Sequence, residues 1–128
     1  MTDMFDYDDQ NIFAKILRGE IPCDKVLEND HALAFRDIAP QAPDHVLVIP
    51  KGAYVSYDHF AQEASDAEIV GLTRLIGEVC ALVGVQPDGF RMVANTGPNA
   101  IQDVPHMHVH LLAGRPLGRM LRDKDNLF

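Results

Sequence analysis

Apolar residues recur at helical spacing in two parts of the chain, and each part predicts one helix. A long helix is predicted at residues 66–83, where apolar side chains fall on one face and Gly84 follows at the C-terminal cap position. A short helix is predicted at residues 12–17, closed by Gly19 and then Pro22. The apolar positions of the long helix are 69, 72, 76, 79 and 83.

Shorter apolar runs, separated by segments rich in asparagine, glycine and proline, predict strands. Together with the two helices they predict an α+β fold, in which a meandering five-stranded antiparallel sheet packs with one long and one short helix. The predicted strands lie at residues 26–27, 32–35, 45–49, 90–94 and 106–112.

Size and charge narrow the class of protein. A chain of 128 residues predicts one domain with a full hydrophobic core. The net charge of −8 argues against non-specific binding to nucleic acid or to acidic membranes, although a small phosphorylated substrate could still bind through local donors. Cys23 and Cys80 are far apart in sequence and suggest neither a disulfide framework nor a zinc knuckle.

The two ends of the chain are predicted to lie outside the domain. Residues 1–10 are acidic and predict a disordered N-terminal tail, and residues 122–128 predict a C-terminal tail. The first ten residues also lack the apolar segment of a secretory signal, and no apolar run approaches the roughly 18 residues of a membrane span. We therefore expect a cytoplasmic protein that binds no membrane.

Three of the six histidines fall within five residues of the last predicted strand. Side chains alternate between the two faces of a strand, so His106, His108 and His110 are predicted on one face and Met107 and Val109 on the other. Imidazole can serve as nucleophile, acid, base or metal ligand near neutral pH. The strand is therefore the predicted centre of the chemistry.

A metal site and a nucleophilic site both fit histidines at this spacing. Residues i and i+4 of a strand lie about 13 Å apart, too far to share one ion at about 2.1 Å per ligand. A metal could thus take at most two of the three histidines, with His45 or Asp103 completing the site. A neutral imidazole can instead attack phosphorus and form a covalent intermediate, while neighbouring imidazoles, if protonated, donate to the phosphoryl oxygens. We favour the nucleophile and predict neither metal nor cofactor.

The segment at residues 102–112, QDVPHMHVHLL, resembles the motif of the histidine triad (HIT) family, His-x-His-x-His followed by two apolar residues. Further segments are similar to the Hint branch of that family, and the tail of the motif, LLAGRPLG, is similar to its bacterial members. The resemblance covers roughly residues 11–121, which we predict as a HIT domain. The other matching segments are residues 12–16, 20–22, 34–43, 45–51 and 89–95.

The resemblance implies a homodimer whose two sheets join into one continuous sheet. It also implies that each protomer binds a purine nucleoside monophosphate and hydrolyses nucleoside phosphoramidates, such as AMP linked to an amine. His108 would be the nucleophile that forms a nucleotidyl-histidine intermediate, and His110 would bond the phosphate. His106 and His45 would orient and tune the site.

The resemblance implies the substrate contacts as well. Asp37 would accept from the ribose hydroxyls, as a carboxylate can. Asn95, Gln102 and Asp103 would complete the contacts to phosphate and leaving group, and we hypothesise that Asp103 faces a cationic amine or assists its protonation. The residues implied to line the base pocket are Ile12, Phe13, Phe35, Ile38 and Leu47.

Three other functions stay open. One is a dinucleoside polyphosphate hydrolase of the fragile-histidine-triad branch. Another is a nucleotide-binding interaction protein whose catalysis is vestigial. The third is a metal-dependent enzyme, which chelation would inactivate.

Overall fold

The structure is a computed structural model that describes residues 4–121, so the predicted C-terminal tail lies outside the described residues. Its centre is a five-stranded sheet in which every neighbouring pair of strands is antiparallel. The predicted α+β class and the number of strands are confirmed. The strands are β1 (Asp24–Glu28), β2 (Ala32–Arg36), β3 (Asp44–Pro50), β4 (Phe90–Val93) and β5 (Val109–Ala113).

The order of the strands across the sheet is β1-β2-β3-β5-β4, so the prediction of a simple meander is wrong. The last strand enters between β3 and β4, where it pairs Val109 with Val48 on one side and His110 with Val93 on the other. Strand β4 is left at one edge of the sheet. The strand that carries His110 is therefore paired on both sides.

The two predicted helices are present, and a third helix lies between them. Helix α1 spans Ile12–Leu17 and α3 spans Asp66–Val83, where a reciprocal capping box of Ser65 and Glu68 begins the helix and Gly84 ends it with φ +79°. The expectation of only one short helix is wrong because Tyr57–Glu63 forms α2. This helix of seven residues is capped by Ser56 and buries only His59 and Phe60, too few apolar residues for a periodic pattern.

The two faces of the sheet pack against different helices. Ala32, Ala34, Val46 and Val48 point to the face that α3 covers, in one apolar cluster with Leu75 and its neighbours. The alternate residues of the same strands point to the other face, where they pack with Phe13 of α1. These residues are Leu33, Phe35, Leu47 and Ile49.

Strand β5 begins at Val109, three residues later than predicted. The segment before it cannot join the ladder, because Pro105 has no N–H and Met107 donates its N–H to the carbonyl of Tyr54 at 2.7 Å. The carbonyl of His106 accepts from Nδ1 of His108. The predicted division of faces is nevertheless confirmed, since Met107 and Val109 pack in the α3 cluster.

Some of residues 4–10 contact the rest of the domain. The ring of Phe5 stacks on His59 of α2 at a centroid distance of 4.4 Å, and Asn11 donates to the carbonyl of Asp8 while its side chain caps α1. Mobility of the first ten residues stays a prediction, as do the domain boundaries. Within residues 4–121, no helix is long and apolar enough to cross a bilayer, and the cytoplasmic location also stays a prediction.

Candidate active site

The histidines lie on the face of the sheet that packs against α1. His106 and His108 are buried, and the ring of Phe13 meets both edge-on, at centroid distances of 6.2 and 5.0 Å. His110 lies opposite Leu47 in the β3–β5 register, on the same face, with its ring 5.0 Å from that of His108. The structure thus brings the three imidazoles together on the side of the sheet where α1 packs, as the spacing predicts.

The tautomer of His108 is set by the backbone. Its Nδ1 lies 2.6 Å from the carbonyl oxygen of His106, which can only accept, so Nδ1 carries the proton and Nε2 carries the lone pair. Burial lowers the pKa of His108 below its usual 6.5, although the bond to His106 and the charge of Asp103 oppose this shift. His108 is therefore a neutral imidazole near pH 7, with Nε2 free to attack.

A second chain of hydrogen bonds sets the tautomer of His110. The backbone N–H of Gln41 donates to Nδ1 of His45 at 3.1 Å, so the proton of neutral His45 resides on Nε2. That Nε2 lies 2.9 Å from Nδ1 of His110, which leaves the proton of His110 on its own Nε2. Burial, then the charges of His108 and His45, lower the pKa of His110 to about 4. His110 is thus a neutral donor.

Asp37 lies beside this pair at the end of β2. Its Oδ1 accepts from the backbone N–H of Ala39 at 2.8 Å, and its Oδ2 lies 3.5 Å from Nε2 of His45. Burial lowers the pKa of His45, and the charge of Asp37 opposes the shift. The carboxylate has one oxygen fixed and the other facing the histidines.

Among the described residues, Asp37, His45 and His110 form a group that could hold a metal ion, with ligand atoms within 4.8 Å of one another. The 2.9 Å between the two imidazole nitrogens is a hydrogen-bond distance, whereas two nitrogen ligands of tetrahedral zinc lie about 3.4 Å apart. A metal would therefore have to break the His45–His110 bond and reset both tautomers. The hydrogen-bonded arrangement fits the geometry better.

Six of the residues predicted to hold the nucleoside line one cavity of about 220 Å³ between α1, the end of β2 and the middle of β3. Phe13 and Phe35 meet edge-on at 5.6 Å in its wall, and Ile38 at its mouth is 92% exposed. The six are Ile12, Phe13, Phe35, Asp37, Ile38 and Leu47; sequence analysis missed Ile16, Ile21, Pro22, Cys23, Arg36 and Val104.

The other predicted contacts lie on the loop between β4 and β5. Gln102 uses its amide to hold this loop, accepting from the N–H of Gly97 and donating to the carbonyls of Val55 and Val104. Asp103 is exposed, yet close enough for its charge to oppose the lowering of the His108 and His110 pKa values. Asn95 is half-buried just after β4. Their roles toward a substrate stay predictions.

The contact between Tyr7 and His106 is the one that sequence analysis missed most clearly. The hydroxyl of Tyr7 lies 2.5 Å from Nδ1 of His106, although the two residues are 99 positions apart. The other ring nitrogen of His106 lies 2.8 Å from the carbonyl of Pro50, and burial lowers the pKa of this histidine to about 4. Tyr7 stands in an acidic stretch without periodicity, so no local pattern indicated its place.

Comparison with known proteins agrees with this geometry. The family model described as the HIT domain matches residues 18–117. An uncharacterised 13.2 kDa HIT-like protein of Azospirillum brasilense is 59% identical over 115 residues, covering 90% of this chain and 94% of its own. The purine nucleoside phosphoramidase of Escherichia coli K12 is 40% identical over 116 residues, covering 91% and 97%.

Two solved structures are similar to this protein in both fold and sequence. A histidine triad protein from Clostridium difficile superposes with a TM-score of 0.75 at 40% identity, covering 84% of this chain and 93% of its own. A HIT family hydrolase from Legionella pneumophila gives 0.74 at 35% identity, covering 84% and 95%. The sheet, the clustered imidazoles and these likenesses agree, and the chain belongs to the HIT domain family.

Proposed function

We propose that this protein hydrolyses nucleoside phosphoramidates of the AMP-amine type and releases a nucleoside monophosphate through a covalent intermediate on His108. The observation that carries the proposal is the hydrogen bond from Nδ1 of His108 to the carbonyl of His106, which leaves a lone pair on Nε2. The Phe13 ring that contacts His108 also lines the cavity. A nucleoside in that cavity would have its 5′ phosphorus near the nucleophile.

The reaction has two displacements at phosphorus. In the first, Nε2 of His108 attacks, the bond from phosphorus to the amine nitrogen breaks, and the amine leaves with the bonding pair and takes up a proton from solvent. In the second, a water oxygen attacks the nucleotidyl-histidine, the bond from phosphorus to Nε2 breaks, and the water's proton passes to solvent. Neutral His108 and the nucleoside monophosphate remain.

His110 stabilises charge on the phosphoryl oxygens during both steps. The hydrogen bonds from Gln41 to His45 and from His45 to His110 leave the proton of His110 on its Nε2. This donor needs no positive charge, so the pKa of about 4 does not disable it. The expectation that neighbouring imidazoles act as donors by being protonated is thus replaced by a fixed neutral tautomer.

The cavity supports a nucleoside as the bound group. Its walls offer two aromatic rings and several aliphatic side chains, which suit the faces of a base, and Asp37 supplies the acceptor for ribose hydroxyls. We propose a purine base by analogy with the purine nucleoside phosphoramidase of E. coli, which is 40% identical. Asp103 is exposed close to the histidines, and its carboxylate would face the leaving amine.

A homodimer is part of the proposal. Strand β4 ends the sheet, and its apolar residues Phe90 and Met92 are 43% and 56% exposed. An apolar edge strand is a template for pairing with another strand. Pairing of β4 with its copy would join two sheets into the continuous sheet that the family resemblance implies.

The test is to incubate the protein with an AMP-amine phosphoramidate, with and without EDTA, beside His108→Ala. Release of AMP that resists EDTA and is lost in the variant is the expected result, and trapping of adenylylated protein would show the covalent step. A fluorescent AMP-binding assay on the variant would confirm that its site is intact.

Other outcomes favour the alternatives. Faster turnover of diadenosine polyphosphate than of the AMP-amine would favour the dinucleoside polyphosphate hydrolase. AMP binding without turnover by the unaltered protein would favour a binding module. Activity lost to EDTA and restored by zinc would favour the group of Asp37, His45 and His110 as a metal site.

A further inference from the structure

Tyr7 donates a hydrogen bond to a histidine of the triad. The Nε2 of His106 faces the carbonyl of Pro50 at 2.8 Å, and a carbonyl only accepts, so Nε2 carries the proton. Nδ1 of this neutral ring is therefore an acceptor. The hydroxyl of Tyr7, 2.5 Å away, is its donor.

Tyr7 is held in place by contacts on both sides of it in the chain. Before it, Phe5 lies flat on His59 with an angle of 8° between the rings. After it, the carbonyl of Asp9 accepts from Nη1 of Arg18 at 2.7 Å. The ring of Tyr7 itself meets that of His106 at 5.5 Å and 69°. The hydroxyl is thus fixed by packing rather than by one contact.

His106 connects Tyr7 to the nucleophile. The ring of His106 is held between Tyr7 and Pro50, and the carbonyl of the same residue accepts the Nδ1–H of His108. A turn of the His106 ring that strained its backbone would move this carbonyl. The lone pair of His108 would then lose its direction toward phosphorus.

We propose that Tyr7 is a positioning residue for the triad, which donates to Nδ1 of His106, holds that ring against Pro50 and so keeps His108 aligned for attack. The effect on rate rests on the function proposed above. Burial raises the pKa of Tyr7, so the phenol keeps its proton and remains a donor across neutral pH. Asp8, Asp9 and Arg18 are the charged groups near it.

Tyr7 lies outside the part of the chain that matches the family model, so its hydrogen bond to His106 is not part of the family motif. The HIT domain match begins at residue 18, eleven positions after Tyr7. The triad of this protein therefore uses a donor from a segment outside the matched domain. A member of the family without such a tyrosine would need another group to partner this ring nitrogen.

Tyr7→Phe tests the proposal, because it keeps the ring and removes only the hydroxyl. Tyr54→Phe is the matched control, since it removes a hydroxyl that donates to Glu68 at 2.8 Å on the α3 side of the molecule. We expect kcat for the AMP-amine to fall about tenfold in Tyr7→Phe with KM within twofold. In Tyr54→Phe both constants should stay within twofold, although Tm falls in both variants.

Nitrogen-15 spectra of the histidine rings give a readout that stability alone would not move. The unaltered protein should show His106 protonated at Nε2, and Tyr7→Phe should shift the Nδ1 resonance of His106, because that nitrogen loses its hydrogen-bond donor. An unchanged His106 spectrum together with unchanged kcat would overturn the proposal, as would an equal loss of kcat in Tyr54→Phe. Absence of turnover by the unaltered protein would contradict the proposed function, while the spectra would still decide whether Tyr7 donates to the ring of His106.

Discussion

The carbonyl oxygen of His106 accepts the Nδ1–H of His108 at 2.6 Å, so one histidine of the motif orients the next through its backbone. The N–H of Met107, which lies between the two histidines, donates to the carbonyl of Tyr54 and not to a neighbouring strand, and β5 accordingly begins at Val109. The spacing of the motif thus serves two purposes. It places the rings on one face, and it gives the middle ring a fixed tautomer.

The pH dependence of kcat/KM should report the lowered pKa of His108. A protonated Nε2 cannot attack phosphorus, and burial holds the pKa below 6.5 in the free enzyme. We expect kcat/KM for an AMP-amine to be level near pH 8 and to fall as the pH is lowered, with a midpoint below 6.5. A titration midpoint at or above 6.5 would contradict the buried, neutral nucleophile.

Asp37→Asn should weaken binding of the ribose. The carboxylate can accept from both sugar hydroxyls, and the loss of a hydrogen bond to a charged acceptor corresponds to a rise in KM of about 10- to 100-fold. A 2′,3′-dideoxy analogue should bind the variant and the unaltered protein alike. If KM rose equally for both substrates, Asp37 would act on the histidines and not on the sugar.

Asp103→Asn should slow turnover only for substrates with a basic leaving amine. An exposed carboxylate close to the triad attracts a cationic amine, but its charge offers nothing to a neutral leaving group. We expect kcat/KM to fall about tenfold for an alkylamine substrate and to change less than twofold for an aniline substrate. An equal loss for the two substrates would reject this role.

Met92→Lys should separate the proposed dimer. A lysine on an edge strand opposes strand pairing, and the Met92 side chain is 56% exposed, so the isolated protomer should tolerate the change. Sedimentation at several protein concentrations should show a dimer for the unaltered protein and a monomer for the variant. Lys25→Met, on edge strand β1 at the far side of the sheet, is the control expected to remain a dimer.

The elements with a sustained pattern were predictable from sequence. Helix α3 repeats its apolar positions over 18 residues and has caps at both ends, so even its bounds were correct. The strand order was not predictable, because nothing local indicates that β5 enters between β3 and β4. Helix α2 was missed because it buries two residues, too few to show a period.

The site was predictable where a residue belongs to the motif or to a segment that resembles the family. The six nucleoside residues indeed meet in one cavity. The contact of Tyr7 with His106 joins positions 99 residues apart. A contact of this kind depends on the whole fold, and one tyrosine among aspartates carries no periodic or turn signal. The hydrogen bonds that link Gln41, His45 and His110 could not be predicted from sequence either. Their first donor is a backbone N–H, which every non-proline residue has.

The entry of β5 between β3 and β4 also fixes the order in which the molecule can be completed during synthesis. Strands β1, β2 and β3 are consecutive and can pair as soon as residue 50 has emerged from the ribosome, and α3 can cover them next. Strand β4 then has no partner until residues 109–113 arrive. The segment that closes the sheet also brings the three histidines, so a nascent chain cannot acquire its nucleophile before its fold is complete.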